Sequence, residues 1–264
     1  MEQRASGWRI MLNTAVALIL LFLLAPSLIT IAISFGGSDQ ITFPPKEFSL
    51  VLFRRFFTEE GWLSSTWLSF SIAIPSALLA LLLGVPAAYA LTRGKFPGRR
   101  LLGLFLLSPI MVPHVAIGLA LYIYFNEIGL SHGQLRLIVA QSIATLPFVI
   151  VTASAGLRNI DPALERAATV MGASRLTVLR RVTLPLLLPS IVTAGLFAFL
   201  IAFDEIVISW FVARAGETTL PIKMFSSIQF DFSSILAAIS TMLTALSVII
   251  CIVVASLQKE KSSA

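Results

Sequence analysis

The stretch RNIDPALERAATVMGASRLTVLRRVTLPLLLP, residues 158–189, decides the fold, because it is a polar interruption between two long apolar runs. Asp161 followed by Pro162 predicts a helix start. The carboxylate can accept a hydrogen bond from a free N–H of the first turn, and proline fits the first helical position because that N–H has no partner there. Gly172 ends this helix, and Ser174 predicts the cap of a second, basic helix. We therefore expect a helix, a tight turn and a basic helix at a membrane surface.

The composition places the chain in a membrane. Apolar residues make up 57% of it and charged residues only 12%, whereas soluble domains carry roughly one-quarter charged residues. Six apolar segments reach the roughly 20 residues that a helix needs to cross the hydrocarbon layer: residues 11–34, 64–92, 101–125, 135–157, 184–213 and 234–257. The expected fold is an all-α integral membrane protein with six transmembrane helices, forming a single transmembrane domain over residues 1–264.

Basic residues are concentrated on one side of the six crossings. The loops and termini of that side hold most of the 19 lysines and arginines: Arg4, Arg9, Arg93, Lys95, Arg99, Arg100, the five arginines of residues 158–181, Lys259 and Lys261. Since lysine and arginine favour cytoplasmic loops, both termini and the loop 158–183 are expected in the cytoplasm. The net charge of +6 is explained by this topology, and no nucleic-acid partner is expected.

Two local patterns predict departures from straight transmembrane helices. Pro109 and Pro113 each remove a backbone hydrogen bond and predict a kink in the third span. Before the second span, Phe48, Leu52 and Phe56 recur at intervals of four residues. This spacing predicts a short helix that lies in the lipid headgroup region or contacts a partner outside the membrane.

The pattern D-P-x-L-x-x-A-A-x-x-M-G-A-S-x-x-x-x-L-x-x-V-x-L-P, residues 161–185, resembles the cytoplasmic coupling loop of permease subunits of binding-protein-dependent ABC importers. The resemblance implies a type I ABC importer permease fold, in which the short helix docks in a groove of an ATPase subunit. It assigns this coupling to Asp161, Leu164, Glu165, Arg166, Ala167, Ala168, Gly172 and Ala173. The chain departs from the family at Arg166, where the family usually has glutamate, and Glu165 lies one place earlier.

The same resemblance implies a set of partners in a bacterial inner membrane. A dimer of ATP-binding subunits would bind ATP and Mg, since no G-x-x-x-x-G-K-[ST] phosphate loop occurs in this chain. A second permease, expected to be a different chain, would complete the pathway, and a periplasmic binding protein would deliver the solute. The remaining contacts would be with membrane lipid. This chain is therefore expected to be a transport subunit that is not itself an enzyme and holds no cofactor.

Asp204 and Glu205 suggest the substrate, because a carboxylate within a membrane helix normally faces a polar cavity or a partner charge. The segment F-D-E-I-V-I-S-x-F-V, followed by T-L-P-I-K-M-F, resembles the polyamine branch of these permeases. That resemblance implies a cationic amine as the solute. Carboxylates pair with ammonium groups, and Trp210 and Tyr122 could offer aromatic faces to the cation.

Other functions stay open from the sequence alone. The solute could be another small molecule carried by the same family, or the chain could be a self-sufficient secondary transporter that uses Asp204 and Glu205 to bind coupling ions. An intramembrane enzyme is disfavoured, because neither H-E-x-x-H nor G-x-S-x-G occurs. No catalytic residue and no metal site is therefore predicted.

Overall fold

The computed structural model describes residues 2–37, 41–230 and 233–262, and this part of the chain is helical apart from its loops and one isolated antiparallel bridge between Gly36 and Phe48. The α-helices in chain order are α1 Glu2–Ser34, α2 Val51–Thr58, α3 Trp62–Arg93, α4 Arg99–Leu107, α5 His114–Glu127, α6 Gly133–Asn159, α7 Pro162–Val170, α8 Arg175–Val178, α9 Leu184–Phe203, α10 Val207–Val212, α11 Leu220–Phe230 and α12 Ile235–Ser262. A 3₁₀ turn, Ser108–Ile110, follows α4, and a π-helical turn, Leu179–Thr183, joins α8 to α9.

The chain divides into two compact units. The first comprises the described parts of Met1–Leu63 and Ser226–Ala264, in which α1 and α2 both pack against α12. The apolar side of α2 is buried in this unit, with Leu52 1% and Phe56 5% exposed, whereas Phe48 lies before the helix and is exposed. The short helix predicted here is therefore present, but Leu52 and Phe56 face protein rather than lipid headgroups.

The second unit, Ser64–Phe225, is built around α6. Its core is made mostly of small residues from α3, α6 and α9, among them Ala80, Ala153 and Ala198, all fully buried. A Cβ atom placed on Gly84 would lie 2.6 Å from Cγ1 of Val149, and one on Gly156 would lie 2.5 Å from Cβ of Ser190. Small residues at these crossings let the helix backbones approach closely, which is how membrane helices gain packing contacts.

Among the described residues, five helices are long and apolar enough to cross a membrane, and a bent pair makes a sixth candidate. The bent pair replaces the single helix predicted for residues 101–125: α4 with its 3₁₀ turn and α5 meet at 101° across residues 111–113. Pro113 lacks an N–H and starts α5 in an extended conformation, with φ −56° and ψ 133°. The proline pattern located the bend correctly, but the bend is a complete break rather than a kink.

The predicted span 184–213 is also interrupted. Helix α9 ends at Phe203, residues 204–206 are not helical, and the short helix α10 follows. Asp204 and Glu205 therefore lie in a break between two helices, not within a helix as the sequence suggested. Both breaks expose backbone groups that need hydrogen-bond partners inside the apolar region, and this requirement shapes the candidate transport site.

Candidate coupling and transport sites

The coupling loop has the local structure that its sequence predicts. Oδ1 of Asp161 accepts a hydrogen bond from the Ala163 amide at 2.8 Å, which caps α7. Gly172 follows the helix with φ +88°, a left-handed conformation that side chains other than glycine adopt at a cost. Oγ of Ser174 accepts from the Thr177 amide at 3.3 Å and caps α8.

The basic helix and the apolar segment that starts at residue 184 form one helical segment, which runs without interruption over Arg175–Phe203. Pro185 cannot donate a backbone hydrogen bond to the preceding turn. The π-helical turn lies directly before it, and such turns accommodate irregular hydrogen bonding within a continuous helix. The basic helix of the coupling loop is thus the first part of the following transmembrane helix, so that a movement of one necessarily moves the other.

The outer surface of α7 carries apolar side chains that the chain does not cover. No residue of α7 is buried, and Arg166 and Ala167 are exposed. Val170 and Met171 are each 88% exposed, Leu176 is 54% exposed and Leu164 is 49% exposed. We call Leu164, Val170, Met171 and Leu176 the coupling patch. Several exposed apolar side chains in a polar loop are typical of a surface that binds another protein.

Glu165 points the other way and ties α7 to the transmembrane helices. Its Oε1 accepts a hydrogen bond from Oγ1 of Thr183 at 3.0 Å and lies 3.5 Å from Nε of Arg93. Nη2 of Arg93 in turn donates to the carbonyl oxygens of Leu157 at 2.9 Å and Ile160 at 2.7 Å. Arg93 ends α3, Leu157 lies in the last turn of α6, and Thr183 ends the π-helical turn. One ion pair therefore joins the coupling helix to three membrane helices, and we call it the Arg93 junction.

Glu205 is the buried member of the acidic pair, and both of its oxygens are used within the chain. Its exposed fraction is 7%. Oε1 accepts a hydrogen bond from the Ile208 amide in the first turn of α10 at 2.7 Å, and Oε2 lies 2.9 Å from Nδ1 of His114. His114 is the first residue of α5, directly after the break in the bent pair. The carboxylate thus connects the two helix breaks of this unit.

Asp204 is exposed, and its carboxylate makes no hydrogen bond or ion pair with any described residue. The residue before it, Phe203, belongs to a cluster of three rings with Phe70 and Phe199, whose centroids lie 5.0 to 5.9 Å apart. This cluster was not predicted from the sequence. The spacing of four between Phe199 and Phe203 on one helix was the available signal, but Phe70 comes from α3 and nothing local relates it to them.

The two aromatic residues predicted for the transport path have different surroundings. Trp210 is 49% exposed and packs edge-on against Phe225, with ring centroids 6.0 Å apart. Tyr122 is 45% exposed, and the guanidinium carbon of Arg136 lies 5.9 Å from its ring centroid. A protein cation therefore already occupies the vicinity of the Tyr122 ring, which disfavours this ring as a contact for a cationic solute.

A buried polar layer connects α6 to its neighbours. Nε2 of Gln141 donates to Oγ of Ser209 in α10 at 3.0 Å, and Oγ of Ser142 donates to the carbonyl oxygen of Ser76 in α3 at 3.1 Å. These residues were not predicted from the sequence, because isolated polar residues in apolar runs form no recognisable pattern. Among the described residues, no three histidine, cysteine, aspartate or glutamate side chains are grouped so as to hold a metal ion.

Comparison with known proteins agrees with this architecture. The family model described as binding-protein-dependent transport system inner membrane component matches residues 62–260. The chain belongs to this family. It is therefore a multi-pass membrane permease subunit of an ABC importer and not an enzyme.

Individual relatives align with most of the length of the permease. It is 32% identical to the putrescine transport system permease protein PotI of Escherichia coli (strain K12), over 90% of this chain and 86% of that protein. It is 31% identical to the spermidine/putrescine transport system permease protein PotC of Haemophilus influenzae, over 89% of this chain and 91% of that one. A chain of a bacterial ABC transporter that imports the acidic polysaccharide alginate shares the fold, with a TM-score of 0.76 at 18% identity, over 95% of the permease and 96% of that chain.

The Arg93 junction should be important for the stability of the permease. We expect Arg93→Ala to lower the free energy of unfolding by about 3 kcal/mol, because it leaves the largely buried Glu165 without its counter-charge and removes two hydrogen bonds to α6. Thermal unfolding of the purified protein in detergent measures this. Arg158→Ala removes the same charge from an exposed side chain nearby and should change the unfolding midpoint little. Equal unfolding midpoints for the two variants would show that the Arg93 junction contributes nothing to stability.

The two adjacent carboxylates should respond differently to truncation. Glu205→Ala removes the acceptor for the Ile208 amide and the partner of His114, so we expect a loss of about 2 kcal/mol of stability. The free energy of unfolding of Asp204→Ala should differ by less than about 0.5 kcal/mol from that of the unsubstituted protein. The substitution removes only an exposed side chain that has no partners among the described residues. Both variants can be compared by chemical denaturation in the same detergent. A larger loss for Asp204→Ala would contradict the assignment of Glu205 as the structural carboxylate.

Proposed function

We propose that this permease forms half of the translocation pathway of an ATP-driven importer for a polyamine or a related cationic amine. The coupling patch is the observation that supports an ATP-driven mechanism. Leu164, Val170, Met171 and Leu176 offer an uncovered apolar surface on a loop whose other side is fixed to the membrane helices by the Arg93 junction. A partner that moves this patch would move α3, α6 and α9 with it.

The partners follow from the family and from this geometry. Two copies of an ATP-binding subunit would bind and hydrolyse ATP with Mg, one of them holding α7 of this chain. A second permease, expected to be a different chain, would supply the other half of the pathway, and a periplasmic binding protein would deliver the solute. The distribution of lysine and arginine supports an orientation in the bacterial inner membrane with both termini and the coupling loop in the cytoplasm.

Docking through apolar contacts suits the sequence of the coupling helix. The family usually has glutamate where this chain has Arg166, and Arg166 is exposed on α7. Glu165 cannot replace that glutamate at the partner surface, because it faces Thr183 and Arg93. We infer that the coupling patch supplies most of the docking energy and that Arg166 faces an acidic or neutral part of the ATPase groove.

The substrate class is supported by the surroundings of Asp204. Its exposed carboxylate has no protein cation beside it among the described residues, and it follows directly on the Phe70, Phe199 and Phe203 cluster. A carboxylate beside aromatic rings can bind an ammonium group through an ion pair and cation–π contacts. The names of the relatives PotI and PotC point to the same class of solute. Glu205 would contribute indirectly, by fixing the break in which Asp204 lies.

The role of the coupling patch can be tested by placing a charge on it. We expect Met171→Glu to reduce the amount of ATPase that co-purifies with the permease at least fivefold, because about 1 kcal/mol of apolar contact is lost and a charge is desolvated. Folding should be unaffected, since the side chain is 88% exposed. Met171→Leu keeps the apolar contact and serves as the matched control. Full recovery of ATPase with Met171→Glu would exclude the patch as the docking surface.

Asp204→Asn tests the substrate class separately from ATPase docking. We expect the KM for putrescine uptake into proteoliposomes containing the whole transporter to rise roughly fivefold, the effect of losing about 1 kcal/mol of ion pairing at an exposed site. ATPase content should not change. Glu127→Gln removes another exposed carboxylate of the same unit and should leave the KM unchanged. An unaltered KM for Asp204→Asn, with ATPase still bound, would reject Asp204 as an amine contact while leaving the importer intact.

A further inference from the structure

A cavity of about 390 Å³ lies where α5 ends, α6 begins and the chain leaves α10. Two arginines, Arg136 and Arg214, line it together with Tyr122, Phe125 and Asn126. Of these residues, only Tyr122 was considered for the transport path, and none has a role in the proposed function. The cavity contains two positive side chains and no acidic residue in its lining, which is the opposite of what a polyamine site would require.

Arg136 is buried without a counter-charge. It is 4% exposed, and Nη2 donates to the carbonyl oxygen of Tyr122 at 3.3 Å and to Oδ1 of Asn126 at 2.9 Å. Its Nε has no hydrogen-bond partner in the described part of the chain, and no carboxylate there lies within 4.0 Å of its nitrogens. Burying an unpaired charge is costly. The rings of Tyr122 and Phe125, 5.9 and 5.5 Å away, offset only part of that cost.

Arg214 places a second guanidinium group on the same cavity. Its Nη1 donates to the carbonyl oxygen of Ser131 at 2.7 Å, which leaves its other nitrogens available. The nearest acidic residue in sequence, Glu217, accepts a hydrogen bond from the Arg214 amide at 3.3 Å and makes no ion pair with the guanidinium. Glu217 is held against Gly133, where a Cβ atom would collide with its carboxylate. The cavity therefore keeps an excess of positive charge.

The position of the cavity indicates which anion reaches it. It lies at the Gly133 end of α6, about 39 Å along the 27-residue helix from the end that carries the coupling loop. Because α6 is long and apolar enough to cross the hydrocarbon layer, we place the cavity at the opposite membrane surface, at the depth of the phospholipid phosphates. Ile123 and Ile128 nearby on the chain are 53% and 54% exposed and would face acyl chains or lipid backbone. Guanidinium groups bind phosphate oxygens with paired hydrogen bonds.

We propose that Arg136 and Arg214 form a binding site for a phosphate group, supplied by an anionic phospholipid of that leaflet. The phosphate would lie against the guanidinium group of Arg136 and neutralise the charge that the described part of the chain leaves unpaired. Nδ2 of Asn126, whose Oδ1 accepts from Arg136, would complete the site as a further donor. Free inorganic phosphate has the same chemistry, and the experiment has to distinguish the two sources.

The test uses the complete transporter, delipidated in detergent, with phosphatidylglycerol, dioleoylglycerol or sodium phosphate as the probe. Bound lipid is counted by native mass spectrometry, and the unfolding midpoint is followed against lipid concentration at constant ionic strength. We expect phosphatidylglycerol to bind and raise the midpoint, and dioleoylglycerol, which lacks the phosphate, to have no effect. Arg136→Gln and Arg214→Gln should each weaken phosphatidylglycerol binding at least about tenfold.

Two controls make the outcome decisive. Arg54→Gln removes an exposed arginine of the first unit and should change phosphatidylglycerol binding less than about twofold. Arg214 is exposed, so Arg214→Gln tests the site even if Arg136→Gln fails to fold. Competition by sodium phosphate against phosphatidylglycerol would support the site and identify free phosphate as a second occupant. Binding of phosphatidylglycerol to Arg214→Gln as to the unsubstituted transporter, or no binding of either phosphate probe, would overturn the proposal.

Discussion

The ion pair between Arg93 and Glu165 is the contact on which the coupling end of the second unit depends. The carbonyl oxygens at the end of α6 lack the regular helical hydrogen bonds, and Arg93 donates to those of Leu157 and Ile160. The same guanidinium holds Glu165 of α7, which also binds Thr183 at the start of α9. Because both side chains are largely buried, the pair is screened little by salt and fixes α7 rigidly. A coupling helix must be rigidly attached if it is to transmit force.

A similar constraint shapes the other end of the unit, where two apolar spans are interrupted. A helix break within a membrane is tolerated only where other groups satisfy the freed backbone. Glu205 accepts a hydrogen bond from the backbone of α10 and contacts the His114 side chain at the start of α5, so a single buried carboxylate lies at both breaks. This arrangement leaves Asp204 on the surface of the break. In the proposed function, Asp204 is therefore positioned by its neighbour Glu205.

The features that were predicted correctly from the sequence are the helix caps and turns that local chemistry determines. Asp161, Gly172 and Ser174 mark the coupling helices correctly, because caps and left-handed turns depend on a few adjacent residues. Pro113 located the break in the third span. The break after Phe203 was missed, because no proline or glycine marks it, and the contact of Glu205 with the distant His114 has no local signal. The inward direction of Glu165 was missed for the same reason, since Arg93 lies 72 residues earlier. Contacts between distant segments cannot be read from a single helix.

The charged residues of the second unit fall into two classes that the helix patterns alone do not separate. Glu165 and Glu205 are buried and paired inside the chain, so their charges are used to hold helices together. Asp204 and Arg136 have no opposite charge among the described residues, although one is exposed and the other almost fully buried. An exposed carboxylate loses little by remaining unpaired, and it can therefore exchange ligands during transport. A buried guanidinium gains much more from an anion, so its ligand should be a lasting part of the structure. The difference in burial is thus consistent with both proposals, a transient cation at Asp204 and a resident anion at Arg136.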